Sequence, residues 1–186
     1  MNGEPEGKKD HTKTIIMVGI VVILALFCAF SFYNLNGNSF DLSDRQVLLI
    51  VTDSMDGDVT EYDIASFPKN TFVMVKHLSN EEKLELQEGD VISFNYNGIL
   101  DHHRIIETHF DQGYVITKGD NPDVHATEDV KIGEINGKVI GTNHWLGALV
   151  AFVKDHFILV IGIIAAIAII GEIYRAYKNG VFEKGS

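Results

Sequence analysis

Two uncharged apolar runs, one near each end of the 186-residue chain, constrain everything that lies between them. The first, Thr14 to Tyr33, holds 20 residues without a charge. At about 1.5 Å per helical residue, a run of that length crosses a hydrocarbon core of about 30 Å. The second, Phe157 to Gly171, is uncharged for 15 residues and completes a span only with His156 and Ile173 to Tyr177. Lys8, Lys9 and Lys13 also give the first run the basic start of a cleaved leader. The run is longer than a leader's apolar stretch and has no small-x-small exit, so an uncleaved anchor is expected. Arg175, Lys178 and Lys184 follow the second run, so both ends read as cytoplasmic and the middle as external. The expected organisation is a cytoplasmic N-terminus (1–13), a transmembrane anchor (14–35), an extracytoplasmic domain (36–154), a second transmembrane helix (155–177) and a cytoplasmic tail (178–186). That makes a multi-pass protein of the cell membrane, with lipid as its first partner.

The segment 34–155 carries nine Lys and Arg against 21 Asp and Glu, a net charge of −12. Such a surface repels nucleic acid and gains nothing from anionic lipid. Cys28, the sole cysteine, falls inside the first run, which excludes an intramolecular disulfide and leaves the outer domain to packing alone. No Cys/His spacing fits a structural zinc site.

Within the outer domain, short β-branched runs at 47–52, 71–76, 91–96, 104–109, 114–118 and 137–142 are each bounded by Gly, Asn, Asp or Pro. Their length and spacing predict a mainly β domain of antiparallel pairs. The stretch 34–44 reads as a polar linker, and 80–87 as one helical turn or a loop. Trp145 to Val153 is apolar and reads equally as an interfacial helix or as a cap on the β core.

Three motifs in this domain supply the parts of a hydrolase: Val51-Thr52-Asp53-Ser54-Met55, His102-His103-Arg104-Ile105-Ile106 and Thr117-Lys118-Gly119-Asp120-Asn121. A serine hydroxyl needs a neighbouring base to take its proton and a third group to orient that base. Ser54, His103 and Asp120 fit these roles in order. Ser54 falls where a strand ends and a turn begins, and Thr52 can aim its hydroxyl, beside the Ser54 amide, at a developing oxyanion. Each motif also has a plainer reading. The serine motif and the Lys-Gly-Asp-Asn run are ordinary turn sequences, and a histidine opening a strand is commonly half-buried. His102 and His103 point to opposite faces of a pleat, so only one of them can serve Ser54. The same divergence disfavours a cation shared by His102, His103, Asp120, Asp123 and His125.

Taken together and in order, the motifs resemble those of the type I signal peptidases, in the subtype of the endoplasmic reticulum, archaea and some Gram-positive bacteria. The resemblance runs from about Val47 to Thr142 and rests on Ser54-Met55, Gly89-Asp90-Val91, His103-Arg104 and Lys118-Gly119-Asp120-Asn121. Histidine before the arginine, where the bacterial subtype has lysine, places it in the serine/histidine group. The resemblance implies a signal-peptidase-like catalytic β domain between two transmembrane helices. It also implies Ser54 as nucleophile, His103 as general base, Asp120 as its acidic partner, and a second acid at Asp123 or, failing that, Asp129. No cofactor and no metal are implied. The implied partners are the signal peptides of exported preproteins, with small residues one and three places before the cut, and the protein-export channel. A peptidase restricted to a few clients, or a catalytically inactive membrane scaffold, would carry the same domain. The chain departs from the family at Asp56-Gly57, where a proline is usual, and in a long acidic loop from Asp58 to Lys69.

Overall fold

A computed structural model describes residues 19–20, 22–27, 29, 40–96 and 98–178. The described chain forms eight strands: β1 (Phe40–Leu42), β2 (Arg45–Leu49), β3 (Phe72–His77), β4 (Val91–Tyr96), β5 (Ile99–His109), β6 (Tyr114–Lys118), β7 (Thr127–Lys131) and β8 (Ile135–Asn143). Two helices follow, α1 (His144–Asp155) and α2 (Phe157–Lys178). All eight strands join one antiparallel sheet in the order β1-β2-β3-β8-β4-β5-β6-β7. The last strand inserts between β3 and β4, so the two halves of the chain meet along β8.

Alternation along the strands builds two cores. On β4, Val91 packs with Ile50, Met55, Phe67, Val73, Val75 and Val139, whereas Ile92 and Phe94 pack with Leu86, Ile105, Val115, Val130 and Ile135. Successive side chains of a strand point to opposite faces, so β4 feeds both clusters. Cross-strand register carries the division outward: Ile92 lies opposite His103, Ile105 opposite Thr117, and Thr117 opposite Glu128, all on one face. Val91 lies opposite Arg104 on the other face.

The mainly β, antiparallel expectation holds, with differences of detail. β1 falls in the stretch expected as a linker, of which residues 34–39 lie outside the described residues. β5 begins at Ile99, so His102 and His103 lie inside a strand rather than at its start. β7 was not among the expected strands because its TEDVK sequence is mostly charged. The segment expected as a turn or loop holds one 3₁₀ turn, Glu82–Glu85.

Among the described residues, one helix is long and apolar enough to cross a membrane: α2, with no buried residue. Its bounds match the second expected span closely. Of the first expected span, 14–35, only residues 19–20, 22–27 and 29 are described, and these are helical; the remainder, with the tails 1–13 and 179–186, lies outside the described residues. Two spans are therefore not shown.

Both alternatives for Trp145 to Val153 find support in α1. Gly147 sits so close to the backbone of Asn70 and Phe72 that a Cβ would overlap them, and Val150 and Ala151 are buried. Trp145, Leu146, Leu149 and Phe152 on the same helix are exposed.

Candidate active site

The turn after β2 presents Ser54 between an exposed Asp53 and a fully buried Met55. Met55 locks the turn into the core, and its carbonyl accepts from the Phe67 N–H at 2.9 Å. The segment leaving β6 closes over the turn from the other side. The Asn121 N–H donates to the Ser54 carbonyl at 3.0 Å, and the Asn121 side-chain amide donates to the Asp53 carbonyl at 2.9 Å. Gly119 and Gly57 permit this docking. A Cβ on Gly57 would overlap the Asp120 carbonyl, which gives Asp56-Gly57 a physical reason to replace proline. A Cβ on Gly119 would come 2.5 Å from the Ser54 carbonyl oxygen and 3.3 Å from Nε2 of His103. The serine turn and the histidine ring thus flank one point in space, which only a glycine can occupy.

His103 is almost wholly buried against Phe94, with ring centroids 5.9 Å apart. Its Nδ1 lies 2.7 Å from Oε2 of Glu128, a carboxylate that also accepts from the Thr117 hydroxyl at 3.2 Å. A carboxylate only accepts, so Nδ1 carries the hydrogen and Nε2 is left as the basic nitrogen, turned towards Gly119. Nε2 is buried and makes no hydrogen bond among the described residues; Oδ1 of Asp101 lies 3.8 Å from it. Ser54 Oγ is 3.3 Å from the Thr52 hydroxyl, and either of the two can donate to the other.

Asp120 is engaged elsewhere. Its carboxylate takes two hydrogen bonds from Arg104, Nε at 2.9 Å and Nη2 at 2.6 Å, and a third from the Ser66 hydroxyl at 2.8 Å. Arg104 also donates to the Gly89 carbonyl at 2.7 Å and lies over the Tyr62 ring, 5.1 Å from its centroid. Gly89, at φ +93° and packed under Tyr62, leaves no room for a side chain. Arg104 and Asp120 are thus a buried knot that ties the Gly89-Asp90 turn, the long loop 58–69 and the Lys-Gly-Asp-Asn run together. The expectation that Asp120 orients the base is corrected: the acid on the His103 ring is Glu128, because Arg104 holds Asp120 on the other face of β5. Asp123 and Asp129, the expected second acids, are both exposed, and the Asp123 N–H donates to the Asn121 side chain.

Motif reading missed Glu128, and it gave Thr117 no role although that residue opens the third motif. A signal for Glu128 was present: it shares strand parity with Val130, so an acid in that position faces the core, whereas Asp129 faces out.

His102 faces away from His103, as alternation requires, and lies opposite Ser93. Burial pushes its imidazole down to about 4; the Asp101 carboxylate opposes that shift and His103 adds to it. Among the described residues no group of three or more His, Cys, Asp or Glu is placed to hold a metal ion.

No model of a known protein family matches this chain, and no curated protein matches it.

Proposed function

We propose that the chain is a membrane-bound serine endopeptidase that removes signal peptides from exported proteins at the outer face of a membrane. The observation that carries this reading is that the Ser54 backbone carbonyl and Nε2 of His103 both close in on Gly119, with Glu128 on the far nitrogen of the ring. Ser54 Oγ attacks the scissile carbonyl while Nε2 of His103 takes its proton; the same proton then passes to the leaving amine. Glu128 holds Nδ1–H, which fixes the tautomer and steadies the imidazolium. The Thr52 hydroxyl and the Ser54 amide are the donors for the oxyanion. Water, activated by His103, releases the acyl product and restores the serine. The resting Ser54 hydroxyl is paired with Thr52 rather than with the ring. Catalytic hydrogen bonds of this kind commonly tighten only once substrate is bound.

The substrate class comes from the resemblance. An extended chain shows alternate side chains to one surface, so small residues one and three places before the cut would be read together. Confinement of enzyme and substrate to one bilayer raises their effective concentration. The test is incubation of the full chain in detergent micelles with a preprotein, followed by mass spectrometry of the products. A single cut after a small-x-small sequence, lost in Ser54→Ala, supports the reading. An intact preprotein, or cleavage that survives Ser54→Ala, overturns it.

A further inference from the structure

Helix α1 carries an apolar strip that no described residue covers: Trp145 is 88% exposed, and Leu146, Leu149 and Phe152 are exposed beside it. From Trp145 to Val153 there is no charge. A contiguous apolar patch on a surface marks a contact. One residue joins α1 to α2, and hydrogen bonding continues across the join, with the His156 N–H on the Phe152 carbonyl and the Val160 N–H on the His156 carbonyl. In the chain, the exposed strip is therefore followed almost at once by the helix of membrane-spanning length.

We propose that this strip of α1 is a lipid-docking surface, seated at the headgroup–acyl boundary of the bilayer that α2 enters. Tryptophan favours that level, with its ring in the acyl region and its N–H among headgroups. Charge does not drive the contact. The segment 34–155 is net −12 and is repelled by anionic headgroups, so the fitting partner is a zwitterionic bilayer bound through apolar area. The docked helix reaches the site through the backbone. Gly147 packs on Asn70 and Phe72, the Asn70 N–H donates to the Ile50 carbonyl, and the Ile50 N–H donates to the Thr71 carbonyl. Ile50 ends the strand segment that delivers Ser54, so seating α1 fixes the height of the serine turn above the lipid.

The inference rests on α2 spanning the bilayer and is independent of the peptidase chemistry. Trp145 is the only tryptophan in the chain, so fluorescence of the unmodified protein reports on this strip alone. The full chain is reconstituted in phosphatidylcholine vesicles with acyl chains brominated near the headgroup or near the bilayer centre. The expected result is blue-shifted emission, quenched most by the shallow bromines and unchanged by high salt. Emission typical of a water-exposed indole, open to iodide, overturns the proposal. So does blue-shifted emission indifferent to bromine, which would mean that protein covers the strip. Ile167→Trp in a Trp145→Phe background reads α2 separately. Deep quenching there, with Trp145 unquenched, keeps the span and refutes the docking; no quenching at either position refutes both.

Discussion

Glu128 and Asp120 flank the same pair of residues on β5, and their partners divide the work between them. Glu128 touches His103 and Asp120 touches Arg104. Glu128→Gln keeps the shape but removes the negative charge that holds Nδ1–H and steadies the imidazolium, so cleavage should fall by about 10²–10⁴-fold with thermal stability nearly unchanged. Asp120→Asn leaves Arg104 buried with its charge uncompensated, a loss on the order of 3–5 kcal/mol. Its melting temperature should drop sharply, with activity lost only in proportion to unfolding. Kinetics and thermal unfolding of the two variants, measured side by side, check this; the opposite pattern would return the orienting role to Asp120. His102 gives a third test. It is neutral in the fold down to about pH 4, whereas the unfolded chain takes up a proton near 6.5. The unfolded state then binds more protons in that window, so stability is complete above about 6.5 and declines by up to about 3 kcal/mol as pH falls to about 4. The unfolding midpoint should therefore drop across this range in wild type and less in His102→Asn.

At the scale of elements, Gly119 is the hinge of the design, since the exit of β6 must pass between the serine turn and the histidine ring. Gly119→Ala forces the backbone of the serine turn to move, so it should lower the melting temperature and spread the two groups apart, and a misplacement of about 1 Å costs on the order of 10²-fold in the rate of the molecules that remain folded. A kcat that fell no more than twofold would show that the contact at Gly119 does not position the pair. The strands with apolar, β-branched sequences were legible from the length and turn-bounded spacing of their runs, as were the three motifs, of which the histidine one lies inside β5. β7 was not, because its burial is carried by two residues, Glu128 and Val130, in a charged sequence. Missing that strand hid the acid on the His103 ring, since Glu128 reaches His103 only through the β5-β6-β7 ladder. The pairing of Asp120 with Arg104 was equally hidden. Asp120 lies beside a candidate triad in sequence, but strand parity sends Arg104, and the acid that holds it, to the other face.

For the whole molecule, both faces of the β sheet carry an apolar cluster, so packing holds the domain from both sides. The spans are a matter of topology, and the expectation is that both ends are inside. A reporter fused after Ser186 should behave as cytoplasmic, while a thiol label placed on the β4–β5 hairpin should react from outside; a C-terminal reporter exposed outside would mean that α2 does not cross. The central claim is that His103 serves Ser54 as its base, and kcat/KM for preprotein cleavage by His103→Ala, with unfolding monitored alongside, tests it most directly. A folded His103→Ala protein is expected to show no cleavage above background at any pH, and full activity in that variant would contradict the serine/histidine mechanism.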